Sequence, residues 1–367
     1  MYVLLLSMVY FGQLVVGPPA CGKTTYCNGV AQFMGQMGRS CAIVNLDFAN
    51  EVSREGMYDC ALDVRSLVSL ERVMDEFELG PNGGIMYCME YLAENVDWLI
   101  DEISALETQY IIFDCPGQVE LFTHHTSMQT IVNKLQKKLD FRLCSVHLVD
   151  SFYCVEPTAF ISAALGVASA MLRLGLPHVN VLTKIDLLPM YGPLPFTLDF
   201  FTELSDLSPL VRYIDTGRIA TEEELLVEND HSDDDGGDAK GEEHSRFNAQ
   251  PCLKRSKLAA MAEELCSVLS DFGLVSFLPM NIQDAPTVGR VLIAIDRANG
   301  YSFAADEALE IRKRAEAANA SGSALQEEER LRRLFSVASV DVESTYERSL
   351  EVYEKYVDNI DKMTKEQ

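Results

Sequence analysis

The sequence is poor in basic residues and lacks the cysteine pairs that bind metals. Its 30 Lys and Arg residues face 56 Asp and Glu residues, which leaves a formal net charge of −26 over 367 residues. Because a nucleic-acid-binding surface needs clustered positive charge, this balance argues against direct nucleic-acid binding. None of the ten cysteines belongs to a C-x-x-C pair, so neither a zinc site nor a redox motif is indicated. The cysteines are typical of reduced thiols in an intracellular protein.

Long apolar runs are also scarce. Beyond the N-terminus no run reaches the roughly 18 apolar residues of a membrane-spanning helix, so we expect no membrane insertion. Residues 1–16 are apolar, carry no Lys or Arg ahead of the apolar run and lead directly into a loop motif. We therefore interpret them as a first strand with an apolar extension, not as a signal sequence. An apolar fraction of 48% predicts a globular protein with a sizeable core.

The loop motif Gly17–Thr24 fits the pattern G-x-x-x-x-G-K-[ST] at every fixed position. An apolar run precedes it and a helical pattern over 25–37 follows, which is the context in which this pattern binds phosphate. Backbone N–H groups would face phosphate oxygens, with Lys23 on the terminal phosphates and Thr24 on Mg²⁺. The predicted nucleotide contacts here are Pro19, Ala20, Cys21, Gly22, Lys23, Thr24 and Thr25.

Apolar runs and helical patterns alternate along the first 300 residues. Further buried strands are predicted at 40–46, 110–113, 143–149, 179–182 and 274–278. Helices are predicted at 64–79, 85–106, 126–139 and 160–174, with an irregular break at Gly80–Gly84. This alternation predicts an α/β fold of the P-loop NTPase type, with a mainly parallel sheet, helices on both faces and helical insertions.

Two segments fall outside this alternation. Residues 222–249 lack apolar periodicity, and eleven acidic residues with one lysine lie between Thr221 and Ser245. We expect an acidic, disordered insertion there. Residues 301–367 are rich in Ala, Glu and Arg and predict a charged helical C-terminal tail. The expected organisation is a P-loop domain over 1–300 that contains the insertion, followed by this tail.

Polar residues come directly after the predicted strands, where parallel α/β folds place their functional groups. They are Asp47, Asp114, Asp150, Asp186 and Asn281. Asp114 has the position of the metal-associated aspartate of phosphate-loop proteins, so we predict that it holds Mg²⁺ together with Thr24. The N–H of Gly117 would meet a γ-phosphate. Gln118 would orient an attacking water, or it is an ordinary exposed glutamine.

The segment Thr183-Lys184-Ile185-Asp186 resembles the guanine-reading motif [NT]-K-x-D. The Asp186 carboxylate can accept hydrogen bonds from guanine N1–H and the exocyclic amine, whereas adenine presents an acceptor at N1. The methylene stem of Lys184 would lie along the base, and Asn281 would belong to a loop that closes over it. GTP and GDP are therefore the predicted ligands.

Gly80-Pro81-Asn82, within a phosphate-loop protein, resembles the signature of the GPN-loop GTPases. Other segments are similar to that family, namely Asn45–Asp47, Asp114–Glu120, His147–Ser151 and Asn281–Asp284. Gly83-Gly84 followed by Tyr87–Leu92 is most similar to the second of the three eukaryotic paralogue groups. The resemblance covers roughly Phe11 to Tyr301.

The resemblance implies a GTP-hydrolysing dimer, either a homodimer or a heterodimer with another GPN-loop GTPase. Asn82, presented by Gly80 and Pro81, would reach toward the γ-phosphate region of the partner. Asp47 would position or activate the attacking water, supported by Gln118 and Glu120. The resemblance also implies a role in the assembly or nuclear import of RNA polymerase II and related complexes, with polymerase subunits or assembly factors as partners. A cytoplasmic location with shuttling to the nucleus is expected on the same basis.

Three residues depart from the family pattern. Ala20 and Cys21 stand where the family usually has Gly-Ser, and Phe48 stands where it usually has Pro. Ala20 is expected to strain a backbone angle that favours glycine, and Phe48 to change the stiffness of its loop. Two alternatives therefore stay open. One is a nucleotide-binding scaffold subunit with little hydrolysis, and the other is an ATP-using metal-insertion or kinase relative.

Overall fold

The computed structural model describes residues 9–50, 60–106, 108–204, 207–216, 257–272 and 275–302. The predicted insertion at 222–249 lies outside the described residues, as does the predicted tail apart from its first two residues. The division into a domain over 1–300 and a tail stays a prediction. The chain divides into two compact units, one of 1–151, 166–188 and 277–367, the other of 152–165 and 189–276.

Seven strands of the first unit form one parallel sheet, in the order β3-β2-β4-β1-β5-β6-β7. Their bounds are β1 Tyr10–Val16, β2 Ala42–Asn45, β3 Leu62–Asp63, β4 Tyr110–Asp114, β5 Phe141–Asp150, β6 His178–Thr183 and β7 Phe277–Pro279. Every neighbouring pair runs parallel. Because β1 lies between β4 and β5, the loops that follow these three strands meet at one end of the sheet.

The helices are named in chain order. They are α1 Lys23–Gln36, α2 Leu70–Phe77, α3 Pro81–Glu94, α4 Val96–Ser104, α5 Glu120–Thr123, α6 Ser127–Leu139, α7 Pro157–Leu174, α8 Leu188–Tyr191, α9 Leu198–Glu203, α10 Ser208–Thr216, α11 Lys257–Phe272 and α12 Ala285–Ala298. Short 3-10 turns occupy Val64–Ser66, Ser151–Val155 and Ile185–Leu187. The predicted α/β fold with a parallel sheet is confirmed.

The sheet buries both of its faces, which explains why its strands read as continuous apolar runs. On one face Leu14, Val44 and Phe113 pack with residues of α2, α3, α4 and α6. On the other face Val15 and Ile112 pack with residues of α1 and α12. Alternate residues of β1 thus enter different cores, as the twofold repeat of a strand requires. The prediction of helices on both faces is confirmed.

A buried polar network crosses the second core. The Tyr26 hydroxyl donates to Gln13 Oε1 (2.8 Å), Gln13 Nε2 donates to the Tyr110 hydroxyl (2.9 Å), and Tyr110 donates to Asp296 Oδ1 (3.2 Å). Arg39 closes the network with two bonds to the Asp296 carboxylate, of 2.6 and 3.2 Å. Burial raises the pKa of Asp296, and Arg39 opposes that rise. The network joins α12 to β1, α1 and β4, the elements that carry the phosphate loop and Asp114.

The second unit has an aromatic core of its own. Phe160 lies edge-on to Phe201 with ring centroids 4.8 Å apart, and Phe196 stacks on Phe200 at 4.5 Å. Helices α10 and α11 pack against each other and bury their apolar residues on facing sides, among them Leu210, Val211, Ala262, Cys266 and Leu269.

Helix α7 is long and apolar enough to span a membrane by length and composition, with a mean hydropathy of 1.4 over its 18 residues. A core helix passes the same test, and α7 buries Phe160, Ala164 and Val167 within the protein. One helix of this kind is weak support for insertion, so the expectation of no membrane segment stays a prediction.

Three local predictions were wrong. The segment Gly80–Gly84 is not an irregular break, because α3 begins at Pro81, where a proline lacking an N–H is well suited to the first helical position. The helix predicted at 85–106 is two helices that divide at Asn95. The helix predicted at 64–79 is a 3-10 turn followed by α2, and Ser69 in an extended conformation precedes α2.

Candidate functional site

The loop Gly17–Thr24 joins β1 to α1 and has positive φ angles at Gly17 (145°), Ala20 (61°) and Gly22 (95°). A Cβ atom at Gly17 would lie 2.4 Å from the carbonyl oxygen of Leu148, so this position accepts only glycine. A left-handed alanine costs about 1–2 kcal/mol, and the strain expected at Ala20 is confirmed. Cys21 is buried beside this turn, and burial raises the pKa of its thiol.

The start of α1 is electropositive. Gly22 precedes the helix without a side-chain cap, and the first turn of the helix itself contains no acidic residue, so its N–H groups and the positive end of its dipole face the loop. The buried Lys23 ammonium donates to the carbonyl oxygens of Gly17 (3.2 Å) and Pro18 (3.0 Å), within the loop itself. An anionic oxygen placed in this loop would be a stronger acceptor for Lys23 than either carbonyl. Thr25 is exposed in the same turn.

Thr24 and Asp114 meet at the end of β4, as their sequence positions predict. The Thr24 hydroxyl donates to Asp114 Oδ2 at 2.8 Å. Asn50 joins them, since its Nδ2 lies 3.3 Å from Asp114 Oδ2 and 3.4 Å from Thr24 Oγ1. A hydroxyl and a carboxylate are the hard oxygen ligands that Mg²⁺ prefers. Within the described residues no group of three or more His, Cys, Asp or Glu side chains forms another metal site.

Asp47 follows β2, and hydrogen bonds to Asn45 before it and Ala49 after it fix its position. Its N–H donates to Asn45 Oδ1 (3.1 Å), and its carbonyl oxygen accepts from Asn45 Nδ2 (3.2 Å). Its Oδ1 accepts from the N–H of Ala49 (2.9 Å). Burial raises the pKa of Asp47, while the Ala49 N–H and the charge of Lys23 oppose that rise. The neighbouring Phe48 is 3% exposed within the first core, so packing of its ring fixes this loop.

The segment after β4 passes directly beside the phosphate loop. A Cβ atom at Gly117 would lie 3.1 Å from both Lys23 Nζ and Pro19 Cα, so glycine permits the approach. The Oε1 atom of Gln118 is buried and has no hydrogen-bond partner among the described residues. Glu120 begins α5, and its exposed side chain forms no hydrogen bond with the described residues.

The segment after β6 touches the other side of the loop. The Thr183 hydroxyl donates to the carbonyl oxygen of Cys21 (2.8 Å), and Lys184 Nζ donates to that of Ala20 (2.7 Å). Lys184 also forms an ion pair with Asp150 at 2.7 Å. The Asp186 side chain is exposed, and within the described chain no hydrogen bond engages it.

Two predicted groups form no hydrogen bond with the phosphate loop within the described residues. Asn281 Oδ1 accepts from the N–H of Gln283 (3.0 Å), so this side chain shapes its own loop after β7. Gly80, Pro81 and Asn82 are exposed at the start of α3, and in the described chain no hydrogen bond joins Asn82 to the phosphate loop.

Sequence reasoning gave no individual role to three residues of the site. Asn45 bonds the backbone of Asp47, Asn50 bridges Thr24 and Asp114, and Asp150 pairs with Lys184. Asp150 was named only as a polar residue that follows a strand, and Asn45 only as part of a segment similar to the family. Asn50 had no signal, because its partners are distant in sequence.

The comparisons agree with this geometry. Residues 15–301 match the family described as "Conserved hypothetical ATP binding protein". The chain is 45% identical over 294 residues to GPN-loop GTPase 2 of Danio rerio, covering 80% of this chain and 82% of the relative. It is 44% identical over 299 residues to GPN-loop GTPase QQT1 of Arabidopsis thaliana, covering 81% and 88%.

Solved structures share the fold, and one of them covers most of this chain. It is the apo crystal structure of PAB0955, a GTPase from Pyrococcus abyssi, which aligns with a TM-score of 0.55 at 20% identity and covers 80% of this chain and 97% of that one. At this identity the likeness supports the fold alone. The relatives decide the family, and the match to the family model over residues 15–301 includes the phosphate loop, Asp114 and the Thr183–Asp186 segment. The chain belongs to the GPN-loop GTPase family.

Proposed function

We propose that this chain binds GTP and GDP with Mg²⁺ and hydrolyses GTP as a conformational switch within a dimer. The observation that carries the proposal is the contact between two independent motifs. Thr183 and Lys184, of the segment that resembles a guanine reader, donate hydrogen bonds to the carbonyls of Cys21 and Ala20 in the phosphate loop. A base bound at Asp186 and phosphates bound at Lys23 would thus belong to one nucleotide.

The phosphates would be bound by the loop amides and Lys23. Lys23 Nζ donates to two carbonyls of its own loop, and it can exchange these for phosphate oxygens, which are stronger acceptors. The approach of Gly117 to Lys23 supports a γ-phosphate contact by its N–H. Thr24 and Asp114 would hold Mg²⁺, whose charge would offset that of the phosphates.

The base preference follows from the chemistry of Asp186. Its exposed carboxylate can accept two donors from guanine, whereas adenine would place its N1 lone pair against the same negative charge. The matched family description refers to ATP, while the relatives are named GTPases. The Asp186 carboxylate favours GTP over ATP as the ligand.

Asp47 and Gln118 are the candidates for work on the attacking water. Burial raises the pKa of Asp47, which strengthens its carboxylate as a proton acceptor. Gln118 Oε1 is a buried acceptor without a partner in the described chain, so it can accept a hydrogen bond from water without losing another bond. Glu120 lies further along the same segment and would support these two groups.

The dimer would complete the site. Asn82 is exposed at the start of α3, where its amide can donate to developing negative charge on a partner's nucleotide. Phe77 is 48% exposed just before that helix, and its ring lies 4.7 Å from that of Tyr87. The partner would be a second copy or another GPN-loop GTPase. On family grounds we further propose a role in assembly or nuclear import of RNA polymerase II and related complexes, in the cytoplasm with shuttling to the nucleus.

Single-turnover phosphate release from bound GTP tests the proposal. The wild-type chain should release phosphate, while Gln118→Ala and Asn82→Ala should each slow release by roughly a hundredfold and leave nucleotide affinity close to wild type. The strained Ala20 favours a second candidate, a nucleotide-binding scaffold with little hydrolysis. If the wild-type chain retained nucleotide but released phosphate no faster than the two variants, the result would support the scaffold. It would also overturn the proposal that the chain is an enzyme.

A further inference from the structure

Three side chains from separate segments converge below the phosphate loop. Thr24 Oγ1 lies 2.8 Å from Asp114 Oδ2, and the amide nitrogen of Asn50 reaches both oxygens, at 3.4 and 3.3 Å. Asp114 is 1% exposed, so the oxygens that Asn50 engages lie at the inner end of the site. The amide therefore places partial positive charge against the two oxygens predicted to hold a cation.

The Asn50 amide and a divalent cation compete for one position. The amide nitrogen is almost equally far from Thr24 Oγ1 and Asp114 Oδ2, and a cation bound to both oxygens from the same side would lie between them at about 2.0–2.2 Å from each. The nitrogen and the cation cannot occupy this position at once. By donating to Thr24 Oγ1, the amide also polarises the hydroxyl and strengthens its hydrogen bond to Asp114.

We propose that Asn50 is a positioning residue that substitutes for the cation in the metal-free protein and is displaced when the metal binds. This inference rests on the proposed nucleotide and Mg²⁺ site. The amide holds Thr24 and Asp114 together before the metal arrives, and metal binding must break the hydrogen bonds that it donates to these two side chains. Asn50 thereby lowers the affinity for the metal. Because its side chain is displaced, metal binding also moves the loop that carries Asn50.

Hydrogen bonds within this loop link Asn50 to Asp47. The backbone N–H of Asn50 donates to the carbonyl oxygen of Asp47 (3.2 Å), and the Ala49 N–H donates to Asp47 Oδ1 (2.9 Å). The other end of the turn is fixed by the fully buried Asn45, which bonds both the N–H and the carbonyl of Asp47. Movement of Asn50 therefore changes a turn that is anchored at one end and carries the candidate water-positioning carboxylate.

The test is the affinity of the GDP complex for Mn²⁺, measured from free Mn²⁺ by electron paramagnetic resonance. Asn50→Ala should bind Mn²⁺ about fivefold more tightly than wild type, because two long hydrogen bonds no longer compete with the metal. Asn50→Asp should bind more tightly still, since it adds a carboxylate near the site. The matched control Asn28→Ala removes an asparagine whose side chain accepts an exposed hydrogen bond from Gln32 on α1, and it should match wild type.

The direction of the change separates the possible roles of Asn50. Tighter binding is a gain that damage to the fold would not produce. Weaker binding in Asn50→Ala would make its Oδ1 a metal ligand, and unchanged binding would make the side chain structural, so either result overturns the proposal. Failure of wild type to bind GDP at all, with Mn²⁺ present, would overturn the proposed function as well. Retention of GDP with unchanged Mn²⁺ affinity in Asn50→Ala would overturn only the role of Asn50.

Hydrogen exchange provides a second readout. Adding Mn²⁺ to the wild-type GDP complex should increase amide exchange in the peptide that contains residues 45–50, because the bond from the Asn50 N–H to Asp47 loosens when the side chain is displaced. The same addition should change Asn50→Ala less, since it has no side chain to displace. An equal increase in both proteins would contradict the coupling.

Discussion

Replacing Ala20 with glycine should stabilise the protein, which is unusual for a glycine substitution. Ala20 has a φ of 61°, in the left-handed region, where a Cβ atom costs about 1–2 kcal/mol. Glycine removes this strain but gives the unfolded chain more freedom, at a cost of about 0.5–1 kcal/mol. The expected net gain is about 0.5–1 kcal/mol, or roughly 1 °C in Tm for a chain of this size.

A matched substitution should have the opposite sign. Ala31 lies inside α1, where alanine has the best helix propensity, so Ala31→Gly should cost about 1 kcal/mol. Thermal unfolding of both variants and wild type, followed by circular dichroism in nucleotide-free buffer, compares the two changes directly. If Ala20→Gly lowered Tm as much as Ala31→Gly does, the reasoning about backbone strain in the loop would be refuted.

Three other outcomes follow from the structure. Gly117→Ala should lower the rate of phosphate release by roughly tenfold or more, because its Cβ atom would lie 3.1 Å from Lys23 Nζ and Pro19 Cα, and unchanged release would contradict this approach. Asp186→Ala should reduce the preference for GTP over ATP by about a hundredfold in competition binding; an unaltered preference would move base recognition elsewhere.

The third prediction concerns how stability depends on pH. Burial, with the charges of His178 and Lys23, lowers the pKa of His147 to about 3. The unfolded chain, with an ordinary His pKa near 6.5, therefore binds more protons between these values, so stability should fall as pH drops from about 6.5 toward 3. His147→Gln should show a shallower decline of Tm with pH, and equal slopes would contradict a buried neutral imidazole.

The sequence was a good guide to the fold wherever local patterns decide the structure. Apolar runs located the strands, because both faces of a parallel sheet are buried, and the residues that end them, such as Asp114, come to one end of that sheet. It failed at Pro81, where proline and glycine suggest a break but a helix begins. Proline and glycine are common both in turns and at the start of helices, so composition alone cannot distinguish the two. Here packing against the neighbouring helix decides the structure.

The polar contacts across the fold could not be predicted. Arg39 and Asp296 are 257 residues apart and meet only because α1 and α12 cover the same face of the sheet. Asn50 bonds Thr24 and Asp114, and no short-range pattern marks it. Of the site, the sequence predicted the residues whose motif defines their chemistry, and it missed those defined by tertiary contact.

Competition binding tests the central claim most directly, namely that the phosphate loop and the Thr183–Asp186 segment together bind one guanine nucleotide. A fluorescent GTP analogue is bound to the wild-type chain and displaced with unlabelled GTP or ATP, with Lys23→Ala as the phosphate-loop control. The account predicts displacement by GTP at concentrations at least roughly a hundredfold below those of ATP, and no binding of the analogue to Lys23→Ala. Equal displacement by ATP, or full binding by Lys23→Ala, would contradict it.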